Sequence, residues 1–310
     1  MKNLLALVVT HNRQQSLINC IEAIRSQSIK PDQILVINNG SSDYTSVWLD
    51  QQEDIIHIYQ ENTGSAGGFN KGISWSHQHE YNWVWCMEDD SYPEKNALEM
   101  LLNKSNEKEP CLLSSLMINE SGDQNEIVNP FNGTLIHHSI ISKAGLPKTN
   151  LFSTGAEAEY YYRITRKCKF TSIIVSESIH FHSADMINYK LEWNMKSSVN
   201  LYFMTRNQFE VYKSKFSNKV LACFKYISFI YKFLLTISST QKNHKWSKAT
   251  FVLRAMADGL SGNYHETVPS IQHRINRLYR NSAIENFIFP IRNLIITTFV
   301  PSFTEMRKSS

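Results

Sequence analysis

Hydrophobic positions in the first ninety residues come in short continuous runs, not in the alternation of a half-exposed sheet. LLALVVT at 4–10 and QILVI at 33–37 each read as a buried parallel strand, and IIHIY at 55–59 and WVWCM at 83–87 as a third and a fourth strand. After the first run, Leu17, Ile18, Ile21 and Ile24 recur at helical spacing behind Ser16, a candidate N-cap, and Pro31 closes the connection. A second helix fits from about Asn70 to His79. Strands that alternate with helices imply an α/β unit with a mostly parallel sheet. Each run is followed by a polar loop, at 11–13, 38–43, 61–69 and 88–93. Ligands of open α/β sheets bind at the carboxyl ends of strands, so these loops are expected to converge on one crevice. Residues 111–185 read as mixed strands and short helices, and from about 195 the pattern turns helical. There, 219–239 is a 21-residue apolar stretch with Lys225 and Lys232 on one helical face. A further apolar stretch, 286–300, carries Pro290 and Arg292.

Charge divides the chain. Residues 1–210 hold 17 Lys and Arg against 24 Asp and Glu, a net of −7; residues 211–310 hold 15 against 4, a net of +11. The division predicts a first domain over 1–210 and a basic, apolar helical region over 211–310 with a partner of its own. A basic tail can meet nucleic acid, but no nucleic-acid module is present, and charges interleaved with apolar helices fit an anionic membrane surface better. The stretch at 219–239 is long enough to span a bilayer. Two lysines near the bilayer centre would each cost about 2.5–3.5 kcal/mol, which favours lying on the surface. A soluble helical subdomain or a dimer contact is the alternative, so homo-oligomerisation stays open. Five cysteines, none in a C-x-x-C pair, read as free thiols in a reducing cytoplasm. MKNLLALVVTHNR has neither the apolar length nor the cleavage site of a signal peptide.

Candidate chemistry lies in the loops. Glu88-Asp89-Asp90 sets three acids in a row at a strand end, where solvent or a hard cation such as Mg²⁺ or Mn²⁺ relieves their repulsion. An acidic turn before the helix near Pro93-Glu94 is the plainer reading of the triplet alone. ENTGSAGGFNKG at 61–72 is neither a P-loop nor a dinucleotide fingerprint, but its glycines permit close backbone approach to a ligand. Asn38 to Asp43 can bond a pyrimidine edge or ribose hydroxyls, or form an ordinary turn. In GAEAEYYYR at 155–163, Glu157 or Glu159 can serve as a general base, or as a solvated helix start. His180 and His182 point to one face of a strand, and one of them can ligate a metal.

The ordered set VVTHNR, VINNGSSD, ENTGSAGGFNKG, WVWCMEDDSYP, GAEAEYYYR and a late His resembles an inverting glycosyltransferase of family 2, over roughly residues 4–207. GGF, the tryptophan-rich strand before EDD and YFMTRN at 202–207 are most similar to galactofuranosyltransferases, with rhamnosyltransferases next. The resemblance implies the GT-A fold, a nucleotide-sugar donor, a saccharide acceptor on a lipid, and Mg²⁺ or Mn²⁺. It also implies roles: Thr10, Asn12, Arg13 and Asn38 bordering the uridine; Gly67, Gly68 and Asn70 along the donor; Asp89 and Asp90 on metal and diphosphate, with His182 as a further ligand; Glu157 as base. The chain has Asn38, Glu88 and Glu157 where that pattern usually has Asp. A catalytically silent nucleotide-sugar-binding or scaffold protein is the alternative of another class, and the acidic triplet together with Glu157 argues against it.

Overall fold

The structure is a computed structural model and describes residues 4–106, 108–119, 122–182 and 195–281. The four apolar runs are strands: β1 (Leu4–Thr10), β2 (Gln33–Asn39), β3 (Ile55–Gln60) and β4 (Trp83–Glu88). They pair in parallel in the order β3-β2-β1-β4, so all four carboxyl ends share one edge. The second half extends the same sheet with β5 (Ser91–Pro93), β6 (Leu112–Asn119), β7 (Gln124–Asn125), β8 (Thr134–His137) and β9 (Ser172–His182). The order continues β4-β8-β6-β9-β5, with β7 off β6. Of these pairings only β6 with β9 is parallel, so the sheet is mixed overall.

Helices cover both faces. α1 (Gln14–Arg25) and α4 (Ala97–Lys104) pack with Val8, Val36, Trp85 and Met87 on one. α3 (Gly64–Gln78), α5 (His138–Ala144) and α6 (Ala156–Tyr162) pack with Leu7, Val9, Ile37 and Cys86 on the other. The short α2 (Thr45–Leu49) links β2 to β3. α1 starts two residues before Ser16. Its first amide, on Gln14, is capped from a distant loop by the Asp43 carboxylate at 3.2 Å. α3 starts six residues before Asn70, because glycines there serve close packing: a Cβ on Gly68 would lie 2.4 Å from Val9, and one on Gly72 2.2 Å from Leu7.

Beyond the sheet, α7 (Met195–Lys215), α8 (Lys219–Thr240), α9 (Lys245–Ser261) and α10 (Val268–Asn281) form a helical layer. Two apolar clusters hold it: Leu201, Tyr226, Ile230 and Phe233 in one, Tyr202, Phe203, Phe251 and Ile271 in the other. The change of charge at 210/211 falls inside α7, which is continuous, so composition changes there without a break in the backbone. The apolar stretch at 286–300 lies outside the described residues.

Candidate active site

β4 ends on Glu88, and the chain turns through Asp89 and Asp90 into β5, whose Ser91 pairs with His182 of β9. That pairing carries a histidine from far downstream to the acids. Glu88, Asp90 and His182 each offer a ligand atom, all within 4.8 Å of one another. His182 Nε2 lies 3.4 Å from Asp90 Oδ1 and 3.8 Å from Glu88 Oε2. Asp89 is 4% exposed and turns toward β1. It accepts from the Thr10 hydroxyl at 2.8 Å, the His11 amide at 3.3 Å and Arg13 at 3.0 Å. Arg13 also reaches Asp90 at 2.5 Å. The acids gathered at His182 are thus Glu88 and Asp90, where Asp89 and Asp90 were expected. Strand alternation is the reason: Val84 and Cys86 face the α3–α6 side, and Glu88 continues that set.

Enclosure, with Asp90 beside it, pushes the Glu88 carboxyl up to about 8, against the pull of His182. Burial also raises Asp90, but the bond from His182 and the charge of Arg13 outweigh it and hold Asp90 below its ordinary value. His182 is raised, first by its bond to Asp90, despite its own burial. Two carboxylates and an imidazole that close suit Mg²⁺ or Mn²⁺, and a cation would offset both the burial and the repulsion that lift Glu88. His180 is different. It is fully buried, edge-on to Trp85 at 6.0 Å between centroids, and burial pushes it down to about 3, so it stays neutral in the core.

A cavity of about 590 Å³ opens beside this turn, within the range of ligand sites. One side is Thr10, His11, Arg13, Asn39 and Asp89; the other is Phe152, Ser153 and the helical layer, through Asn200 of α7 and Gln272 of α10. Gly64 and Ser65 line it where α3 begins. Other expected donor residues are occupied elsewhere. Asn38, near the end of β2, is buried; its amide donates to Ser46 Oγ at 2.8 Å and its carbonyl accepts from the Ser41 amide at 3.1 Å. Asn12, at φ 54°, accepts from the Ser42 amide at 2.7 Å and so ties two loops together. Gly67 and Gly68 sit within α3 against Thr63 and Val9, and Asn70 donates to the Pro147 carbonyl at 2.7 Å.

Sequence reasoning named Asn39 only as part of the 38–43 loop and missed Phe152, Asn200 and Gln272. For Asn39 a signal existed: alternation from Leu35 and Ile37 puts it on the α3 side of β2, where its amide reaches the Gly64 carbonyl at 3.0 Å.

The two acids of α6 separate cleanly. The Gly155 amide donates to both oxygens of Glu157 at 3.1 Å, and Glu157 is near enough to Glu88 to help raise it. Burial raises Glu157 itself, against those amide bonds. Glu159 is fully buried and paired with Arg163 and Lys148, each at 3.1 Å, and it accepts from Ser214 at 2.9 Å. The loop before Glu157 is held by α7. Arg206 donates to the Asn150 and Leu151 carbonyls at 3.1 Å, and Asn207 donates to Leu151 and Thr154 at 2.7 and 2.8 Å.

The sequence profile of Glycosyl transferase family 2 matches residues 6–160, half of the 310 residues. Galactofuranosyltransferase GlfT1 of Mycolicibacterium smegmatis is 25% identical over 211 residues, 56% of this chain and 70% of that protein. GlfT1 of Mycobacterium tuberculosis is 25% identical over 198 residues, and the chain spans 65% of its length. Staphylococcus aureus TarS 1–349 in complex with UDP superposes with a TM-score of 0.57 at 11% identity, over 95% of this chain and 94% of that one. A likeness at that identity speaks for the fold, which is GT-A. With the profile running from β1 to α6, through the loops at 11–13, 38–43, 61–69 and 88–93, this chain belongs to glycosyl transferase family 2.

Proposed function

We propose that this glycosyltransferase works with inversion, moving galactofuranose from UDP-galactofuranose to a hydroxyl of a saccharide acceptor. The acceptor is carried on a lipid, in the assembly of a cell-surface polysaccharide of O-antigen or capsule type. The protein then works in the cytoplasm, peripherally on the inner face of the cell membrane. The observation that carries the chemistry is the placing of Glu157. Its carboxylate is held by the Gly155 amide and is near enough to raise Glu88, which lines the cavity. The two mycobacterial relatives, named galactofuranosyltransferases, support the donor.

In this reading Glu157 takes the proton of the acceptor hydroxyl. Its raised pKa makes it a stronger base than an exposed glutamate. The acceptor oxygen attacks the anomeric carbon as the bond to UDP breaks on the opposite face, which inverts the centre. Glu88, Asp90 and His182 would hold Mg²⁺ or Mn²⁺, which when bound neutralises charge on the diphosphate. Thr10 and Arg13 hold Asp89 and so fix the turn that carries Asp90. Asn39, on the same wall, borders the nucleotide.

The test is release of UDP or dTDP from a panel of UDP-galactofuranose, UDP-galactopyranose, UDP-glucose and dTDP-rhamnose, with membrane extract as acceptor. Turnover of UDP-galactofuranose alone is the expected result. Turnover of dTDP-rhamnose alone would make the chain a rhamnosyltransferase, and binding without release in any arm would make it a silent sugar-nucleotide binder.

A further inference from the structure

α8 presents two unlike faces. Tyr226, Ile230, Phe233 and Ile237 are buried in the cluster shared with α7 and α9. On the opposite side Val220, Phe224, Ile227 and Tyr231 are 78%, 67%, 49% and 63% exposed. Their steps of four, three and four residues align them in one stripe. Lys225 and Lys232 stand together on one side of it, about a third of a turn round the helix. Trp246 stands exposed at the start of α9. Single exposed apolar residues need no explanation, but a line of four large ones does.

The surrounding charge says what covers the stripe. From Val211 through Ala257 the chain holds nine Lys and Arg and no Asp or Glu. A second copy docked symmetrically there would set lysine against lysine. An anionic bilayer leaflet takes both features, the stripe into its acyl boundary and the lysines at its phosphates.

We infer that α8 is an interfacial membrane helix, lying along an anionic leaflet with the Val220–Tyr231 stripe inserted and Lys225 and Lys232 on the headgroups. α8 has the length and hydropathy to cross a bilayer, but its other face is committed. The Tyr226 hydroxyl donates to the Thr205 carbonyl at 2.8 Å, and a crossing helix would pull that whole face out of the cluster. The inference rests on the proposed reading only in giving the membrane a purpose, presentation of a lipid-borne acceptor to the cavity whose wall α7 supplies.

The experiment is sedimentation of the full chain with vesicles of phosphatidylethanolamine and phosphatidylglycerol, against vesicles of phosphatidylcholine alone. Binding to the anionic vesicles only, released by high salt, is expected. Lys225→Gln with Lys232→Gln should lower the partition coefficient about fivefold per lysine. Phe224→Ser with Tyr231→Ser should lower it at least about tenfold, with an unchanged melting temperature and unchanged turnover of a detergent-free soluble acceptor. Vesicle binding indifferent to both pairs overturns the inference. So does release by detergent alone, which marks a spanning helix, or a dimer in solution that the Phe224→Ser, Tyr231→Ser pair dissociates. Vesicle binding without any sugar transfer overturns the proposed reaction and leaves α8 where it is placed here.

Discussion

Glu157 and Glu159 stand two residues apart in the first turn of α6, and their carboxylates have opposite surroundings. Glu159 has two cations and a hydroxyl around it; Glu157 has backbone amides, its own and that of Gly155, and another acid, Glu88, nearby. A fully compensated buried acid holds structure together, whereas an acid left undercompensated beside a cavity is held ready for a proton. The same contrast separates Glu88, which lacks such compensation, from Glu210, which Lys148 and Lys213 satisfy.

The contrast is sharpest in activity. Glu157→Gln should lower kcat by about 10²–10⁴ and leave the melting temperature unchanged or higher; full activity in this variant would reject the base assignment. Glu159→Gln should do the reverse. Breaking a buried pair costs about 3–5 kcal/mol, read as a shift of the urea midpoint, while turnover per folded molecule stays within a few-fold. Equal loss of activity in the two variants, with both folded, would erase the distinction. Metal comes next. Mn²⁺ at a hundred times its Kd should stabilise the wild type by about 2.7 kcal/mol, seen as a rise in melting temperature. Glu88→Gln and Asp90→Asn should each remove that rise, and Asp89→Asn should keep most of it; the opposite order would return the ligand role to Asp89.

The smallest effect is one of pH. Burial alone would raise the Glu210 carboxyl, but bonds from Lys148 and Lys213 outweigh it and set it below its ordinary value. A carboxyl with a lowered folded pKa stabilises the fold above its unfolded pKa of about 4.3, and that stability goes as pH falls through the folded value. Glu210→Gln should therefore be less stable than wild type at neutral pH and converge with it on acidification, as urea midpoints taken across the acid range would show. A gap that stays constant down the pH scale would mean that Glu210 acts by packing and not by charge.

The first four strands were plain in the sequence because each is a short apolar run; in β1, β2 and β4 that run is the direct trace of burial, whereas β3, at the sheet edge, leaves Ile56 and Tyr59 exposed. The EDD turn was legible for the same reason, since it starts where such a run stops. The start of α1 was not, because its cap is Asp43, 29 residues away in the chain but adjacent in space. The start of α3 was hidden behind glycines that lower helix propensity and are kept for contact with Leu7 and Val9. Glu88 and Asp89 could be ordered only by following the alternation of β4 to its end. Asn200 and Gln272 left no local trace at all: they meet the cavity through the packing of α7 and α10, a long-range property that no spacing records.

One helix binds these parts together. α7 is 21 residues long, about 30 Å of unbroken rod. Val199, Asn200 and Phe203 line the cavity, Arg206 and Asn207 grip the loop before the proposed base, and Ser214 meets Glu159. A single inserted or deleted residue between Phe203 and Ser214 would turn everything beyond it by about 100°. No local repair of a helix restores that phase. The spacing of α7 is thus a ruler that evolution can mark with new side chains but not lengthen.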